Sequence, residues 1–200
     1  MRSELVIALR MAMVTLVLTG VVYPLAVTGI AQLFFPRQGD GSMIAVSGRV
    51  VGSELIGQEF TSPGYFQGRP SAAGPDGYDA SASGGSNLGP TSARLRDRVA
   101  AEAARLRREN PSAPGPVPGE LLTASASGLD PHLSPDAALW QAPRVAAARG
   151  VPLAAVHAAV AAHVEGRSLG ILGEPRVNVL VLNLELDRRF GRWQVTVPSR

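Results

Sequence analysis

Gly166-Arg167-Ser168-Leu169-Gly170 matches the G-x-S-x-G spacing of a hydrolase nucleophile elbow. In that device a strand delivers the serine and a helix follows, so that the hydroxyl stands out from a sharp turn. Here a helical pattern precedes the motif and a glycine-marked turn follows, so the context predicts a helix C-cap and turn. An isolated motif of this kind is weak. Ser86, in a Gly-rich stretch, is the other serine a hydrolase reading would require. The three histidines are His132, His157 and His163. His157 and His163 fall on different faces of one helix. No H-x-x-x-H or H-x-x-H pair exists, and no carboxylate sits at ligand spacing, so no metal site is predicted. The chain has no cysteine, which excludes disulfides, thiolate catalysis and Cys-based zinc sites. Every one of its 19 basic residues is an arginine. A Walker A loop needs a phosphate-binding lysine and cannot form. No catalytic residue is predicted.

These residues hang on a membrane anchor. Met11 to Phe35 contains no charged residue. As a helix, 11–35 would be roughly 37 Å long at 1.5 Å per residue, against a hydrocarbon core of about 30 Å. A cleaved signal peptide would have a shorter apolar core and small residues at its exit. This run ends in Gln32-Leu33-Phe34-Phe35-Pro36, which fits an interfacial belt. Tyr23-Pro24 interrupts the middle, and the proline predicts a kink. Arg2 and Arg10 precede the span and Arg37 follows. The positive-inside bias therefore puts residues 1–10 in the cytoplasm and 36–200 outside.

Beyond the anchor, Ile44 to Val51 reads as one strand between glycine-marked turns. Residues 57–90 form a long loop region rich in Gly, Pro, Ser and Asn. Its aromatics Phe60, Tyr65, Phe66 and Tyr78 argue against disorder. Leu95, Val99, Ala103 and Leu106 give Thr91 to Asn110 a helical stripe. Arginines cluster in the same segment, but Asp97, Glu102 and Glu109 interrupt them, so no nucleic-acid face is predicted. Residues 111–118 are a proline-rich breaker and linker. Ser134-Pro135-Asp136 is a helix start, with the helix running to Gly150 and a kink or break at Pro143. A second helix begins at Pro152, carries Leu153, Val156, Val160 and Val164, and ends at Gly166. Arg176 to Leu186 is dense in Val and Leu and reads as a buried strand. Trp193 to Val197 either pairs back on it or frays. The fold class is α+β: one N-terminal transmembrane helix followed by a small mixed helix/strand extracytoplasmic domain.

Three blocks together carry a family resemblance. They are Thr19 to Gly29 (TGVVYPLAVTG), Leu55 to Pro90 (LIGQEF…GYFQGRPSA…GYDASASGGSNLGP), and Leu121 to Gly150 with Gly173 to Asp187. In order and spacing the chain resembles the C subunit of the bacterial Kdp high-affinity potassium-transporting P-type ATPase. Asp79 stands where that family often has asparagine, and residues after Asp187 extend beyond its usual end.

The resemblance implies an accessory subunit that assembles and stabilises an ATP-driven potassium uptake complex in the bacterial inner membrane. It also implies a catalytic chaperone role, raising the ATP affinity of the ATPase subunit. The implied partners are a channel-like potassium-translocating subunit, the P-type ATPase subunit, a small stabilising subunit and the lipid bilayer. ATP and potassium would be handled by the complex, with no cofactor on this chain. Without lysine this chain cannot carry the Asp-Lys-Thr-Gly phosphorylation motif, and one span cannot build a potassium filter. The alternative is a stand-alone anchored binding or sensor domain.

Within 57–90, glycines permit close backbone approach, while aromatics and arginine suit docking onto a partner. The candidate docking residues are Gln58, Phe60, Tyr65, Phe66, Gly68, Arg69, Pro70, Ser71, Gly84, Gly85, Ser86 and Asn87.

Overall fold

The computed structural model describes residues 2–193. The chain divides into two compact units, the first ending at Ser53 and the second beginning at Glu54.

The first unit is dominated by α1, Arg2–Phe34, a 33-residue helix whose most apolar 18-residue stretch has mean hydropathy 2.3 and which has no buried residue. It is the one helix among the described residues that is long and apolar enough to cross a membrane. Pro24 does not break it. In a regular helix the proline ring would press on the carbonyl four residues back, at Gly20. The turn before it, Leu18–Val22, is instead a π-helix, and the Tyr23 amide donates to the Leu18 carbonyl. A widened turn of this kind is a recognised way to admit such a residue. After a single helical turn at Pro36–Gly39 comes a hairpin, β1 (Met43–Val46) and β2 (Arg49–Ser53). The single strand expected over Ile44 to Val51 is therefore two. Ser47 and Gly48, with φ of 51° and 78°, form the two-residue turn between them. Two positive φ values give the turn whose twist matches antiparallel strands.

In the second unit no helix or strand occurs between Ser53 and α2, Ala93–Glu109. Ser92 caps α2, and its hydroxyl accepts from the Leu95 amide at 3.4 Å. The proline-rich stretch 111–118 is held against the core: Ala113 is buried, Val117 packs on the core, and Arg107 donates to the carbonyls of Ala113 and Gly115. Next come β3 (His132–Leu133) and α3 (Pro135–Arg149). Ser134 caps α3 by accepting from the Ala137 amide at 3.2 Å. Gly150, at φ 65°, closes it in the left-handed conformation. The expected break at Pro143 is absent. The helix runs through it, held by buried Ala138, Trp140, Gln141, Ala142 and Val145 on either side.

Two expectations fail further on. The second helix, α4, spans Leu153–Ala162 and stops before Val164, which lies in β4 (Val164–Glu165). The run read as a buried strand is β5 (Arg176–Asn178) and then α5 (Val179–Phe190). A dense Val/Leu run does not by itself separate strand from buried helix. The buried positions Val179, Leu182, Asn183 and Leu186 have helical spacing, and Asn178 caps the helix by accepting from the Val181 amide at 3.1 Å. The expected pairing of Trp193 to Val197 lies, beyond Trp193, outside the described residues.

The small sheet is antiparallel with β5 central, so that Val177 faces Leu133 on one side and Val164 on the other. Phe66, Leu133, Trp140, Val145, Val156, Val160, Val177, Leu182 and Leu186 form the core over which the long loop is laid.

Candidate functional site

A loop of this length keeps one shape only if its backbone polar groups find partners. Two buried side-chain amides supply them at consecutive residues. Asn183 accepts from the Phe66 amide at 2.8 Å and donates to the Phe66 carbonyl at 2.9 Å. Gln141 does the same for Gln67, at 2.9 Å in both directions. Each amide side chain acts as a strand would, on a segment that has no strand beside it. Arg144, which is buried, donates to the Pro63 carbonyl at 2.7 Å and to Gln141 at 2.8 Å. Burial pushes its pKa down to about 10, still far above neutrality. Arg149 donates to the Gly64 carbonyl at 2.6 Å and to Asp187 at 2.9 Å, and lies 4.9 Å over the Tyr65 ring. The Tyr65 hydroxyl donates to the other Asp187 oxygen at 2.8 Å. Burial and the bond to Asp187 raise the Tyr65 pKa.

A second anchorage lies around Ser71. Its hydroxyl donates to the Gly128 carbonyl at 2.6 Å and accepts from the amides of Ala73 and Tyr78 at 3.1 and 2.7 Å. The Tyr78 hydroxyl donates to the Arg69 carbonyl at 2.5 Å. Burial, then the charges of Glu59 and Asp130, push the Tyr78 pKa up to about 12, so it is a neutral donor at physiological pH. Arg69 pairs with Asp130 at 3.2 Å. Burial pulls the Asp130 carboxyl upward, but bonds from His132 and the Arg69 charge outweigh it and hold it below its ordinary value.

Between this part of the loop and α2 lies an open cleft of about 490 Å³. Phe60, Gly68, Arg69, Pro70 and Ser71 line one side, and Glu102, Arg105 and Glu109 the other. Arg105 donates to Glu102 at 2.5 Å and Glu109 at 2.7 Å. Those bonds hold its proton more firmly than usual. The cleft is polar and mixed in charge.

A family model described as "K+-transporting ATPase, c chain", KdpC, matches residues 5–188. The chain belongs to the KdpC family. A "Potassium-transporting ATPase KdpC subunit" of Myxococcus xanthus is 67% identical over 200 residues, covering 100% of this chain and 94% of that one. The protein of the same description from Nitratidesulfovibrio vulgaris is 57% identical over 190 residues, covering 95% and 94%. A third, from Polaromonas naphthalenivorans, is 57% identical over 187 residues, covering 94% and 95%.

Within this KdpC-family chain the predicted docking residues separate into groups. Phe60, Gly68, Arg69, Pro70 and Ser71 meet at the cleft. Tyr65 stands with Arg149 and Asp187, while Gln58 lines a narrow crevice with Asp130 and Val179. Phe66 is 0% exposed and belongs to the core. Gly84 and Gly85 pack against 126–128, with the Gly84 amide donating to the Ser127 carbonyl at 2.8 Å. Ser86 is half-buried and Asn87 exposed at φ 51°, and neither lines the cleft. Ser168 follows a short strand, β4, and no helix comes after it before β5. The nucleophile-elbow context therefore fails on its second half, and the expected helix C-cap is replaced by a turn in a hairpin arm. Sequence reasoning missed Gln141, Arg144, Arg149, Asn183 and Asp187. The available signal was a polar residue such as Asn183 inside an otherwise apolar run.

Proposed function

We propose that this chain is a non-catalytic, membrane-anchored subunit of an ATP-driven potassium uptake complex, and that it assembles and stabilises that complex. The reading rests on one conjunction: a match to the KdpC family over residues 5–188, in a chain whose α1 is free of charge from Met11 onward and unburied along its length. Such a helix suits packing against other membrane helices, and Gly20 and Pro24 are residue types tolerated there.

The partners in this reading are the channel-like potassium-translocating subunit, the P-type ATPase subunit and the small stabilising subunit, in the bacterial inner membrane. The amino terminus is cytoplasmic and the domain from Glu54 onward is extracytoplasmic. An effect on the ATPase subunit's affinity for ATP is then indirect. The chain binds one conformation of its partners better than another, and by reciprocity ATP strengthens its docking. The polar clamps on 63–67 support this, because a pre-shaped loop docks without the entropy cost of ordering it.

Affinity purification of the natively expressed, tagged chain from mild detergent tests the proposal. The expected result is co-elution with a P-type ATPase and a multi-span channel-like protein. Recovery as a lone, stable monomer overturns it, and so would an ATPase or esterase activity that disappears in Ser168→Ala or Ser86→Ala.

A further inference from the structure

Between β4 and β5 the chain leaves the small sheet as an arm, residues 166–175. At its tip Leu169 is 89% exposed, Ile171 74% and Leu172 56%. Single exposed leucines are ordinary on a protein surface. Three large aliphatic side chains within four residues of one tight turn are not, and two further features set the arm apart.

Its backbone is satisfied in part from within. The Ser168 amide donates to the Leu172 carbonyl at 2.8 Å and the Leu172 amide to the Ser168 carbonyl at 2.9 Å, while the amides of Gly170 and Ile171 bond to Arg167 and Ser168. A tip closed in this way takes the amides of Ser168, Gly170, Ile171 and Leu172 into an apolar environment already bonded. Leu169 also sits at φ 54°. That conformation is uncommon for a residue other than glycine, and such outliers cluster at functional positions. Glycine would fit this position with less strain, yet a leucine occupies it.

The base of the arm carries two exposed ion pairs, Arg167–Glu174 at 2.7 Å and Arg176–Glu165 at 2.9 Å. They leave it with equal numbers of cations and anions. An insertion loop for anionic lipid would carry surplus basic charge and interfacial aromatics, and this arm has neither. An aliphatic tip above a base of balanced charge suits the apolar centre and polar rim of a protein–protein contact. A few side chains fall far short of the about 800 Å² per partner of a free-standing interface, which disfavours a dimer of this chain through the arm. Such a contact gains from being made to a partner already held by other means.

We propose that the 166–173 arm is a docking finger whose Leu169 and Ile171 enter a shallow apolar pocket, rimmed by mixed charge, on a neighbouring subunit of the same membrane complex. This rests on the reading of the chain as a subunit of a potassium-transporting complex.

The test uses the full chain, natively expressed with its complex, with a photoreactive benzoylphenylalanine replacing Ile171. The expected product is an adduct with another subunit. An adduct with lipid alone, an adduct with a second copy, or no adduct overturns the proposal. Leu169→Gly supplies an independent arm. It relieves the backbone, so the melting temperature of the chain should not fall. Co-purified complex should nevertheless drop at least about fivefold, the loss expected of an interface anchor. An unchanged yield with Leu169→Gly would refute the finger. Failure of the unmodified chain to co-purify sinks the functional reading itself, whereas co-purification without a protein adduct sinks only the finger.

Discussion

The side-chain amide of Asn183 holds both backbone groups of Phe66, accepting its N–H at 2.8 Å and donating to its carbonyl at 2.9 Å. Asn183 is 2% exposed and Phe66 is 0% exposed, so neither bond is open to water. The Phe66 ring can therefore sit in the core although its backbone belongs to an irregular loop. Replacing Asn183 with leucine strands two buried polar groups, at about 1–3 kcal/mol each. Asn183→Leu should lower the stability of the detergent-solubilised chain by about 2–6 kcal/mol. Chemical unfolding followed by tryptophan fluorescence reads this. A loss no larger than that of the exposed Ala148→Val would show that the loop keeps its shape without the clamp.

The helix starts were open to sequence reasoning because their signals are local. Ser134-Pro135-Asp136 contains both cap and first turn, and Leu95 to Leu106 contains its own stripe. The strand predicted over Arg176 to Leu186 failed because Val and Leu density is common to buried strands and buried helices. The site was legible as a composition and not as an arrangement. Phe66 looked like a docking aromatic because nothing near it in the chain says that Asn183, 117 residues away, will draw it inward. In the sequence the loop glycines read as allowing close backbone approach to a partner. Gly57, Gly68 and Gly85, none at positive φ, are closely approached by segments of this same chain, which only the folded chain reveals.

Gly128 carries both constraints and gives the sharpest loop test. It has φ 68°, and a Cβ placed there would lie 2.7 Å from the Ala73 amide nitrogen and 2.7 Å from the Gly84 carbonyl oxygen. At Gly57 a Cβ would lie 2.7 Å from the Asp130 carbonyl oxygen. Backbone cannot yield there as a flexible side chain can. Gly128→Val should cost about 3 kcal/mol or more, combining left-handed strain with overpacking. Gly57→Ala should cost about 1–3 kcal/mol. Thermal melting of each variant beside Ala148→Val checks the order. Equal, mild shifts in all three would mean the loop rearranges freely.

The Arg69–Asp130 pair predicts a pH dependence of definite sign. The Asp130 carboxyl titrates below its unfolded value of 3.8. A depressed folded pKa gives stabilisation that is complete above the unfolded value and fades as pH falls through the folded one. Asp130→Asn keeps an oxygen for the His132 amide, which now bonds Asp130 at 3.0 Å, and removes both the charge and the oxygen that accepts from Arg69. At pH 7 the variant should be less stable by about 1 kcal/mol, the scale of a half-exposed ion pair. The difference should shrink below pH 3.8 as wild-type Asp130 becomes protonated. Unfolding curves at neutral and acid pH decide it, and a gap that stays constant or widens in acid would refute the assignment.

The orientation proposed for α1 bears directly on how the chain could influence ATP. With Arg2 and Arg10 inside, about 30 Å of hydrocarbon separates the domain beyond Glu54 from cytoplasmic nucleotide. No lysine exists to cradle a phosphate, and the loop carries no G-x-G-x-x-G turn. The absence of cysteine makes accessibility mapping clean, since one introduced thiol is the sole target. Ser112, exposed in the proline-rich stretch, is a suitable position. Ser112→Cys should be labelled by a membrane-impermeant maleimide on cells whose outer membrane has been permeabilised and whose inner membrane is intact. The purified full-length chain in detergent should show no saturable ATP binding by calorimetry at millimolar nucleotide. Labelling only after the inner membrane is broken, together with saturable binding, would reverse the orientation and make the nucleotide effect one of direct contact. Labelling without binding leaves conformational coupling through the partner subunits as the route by which this chain acts on ATP.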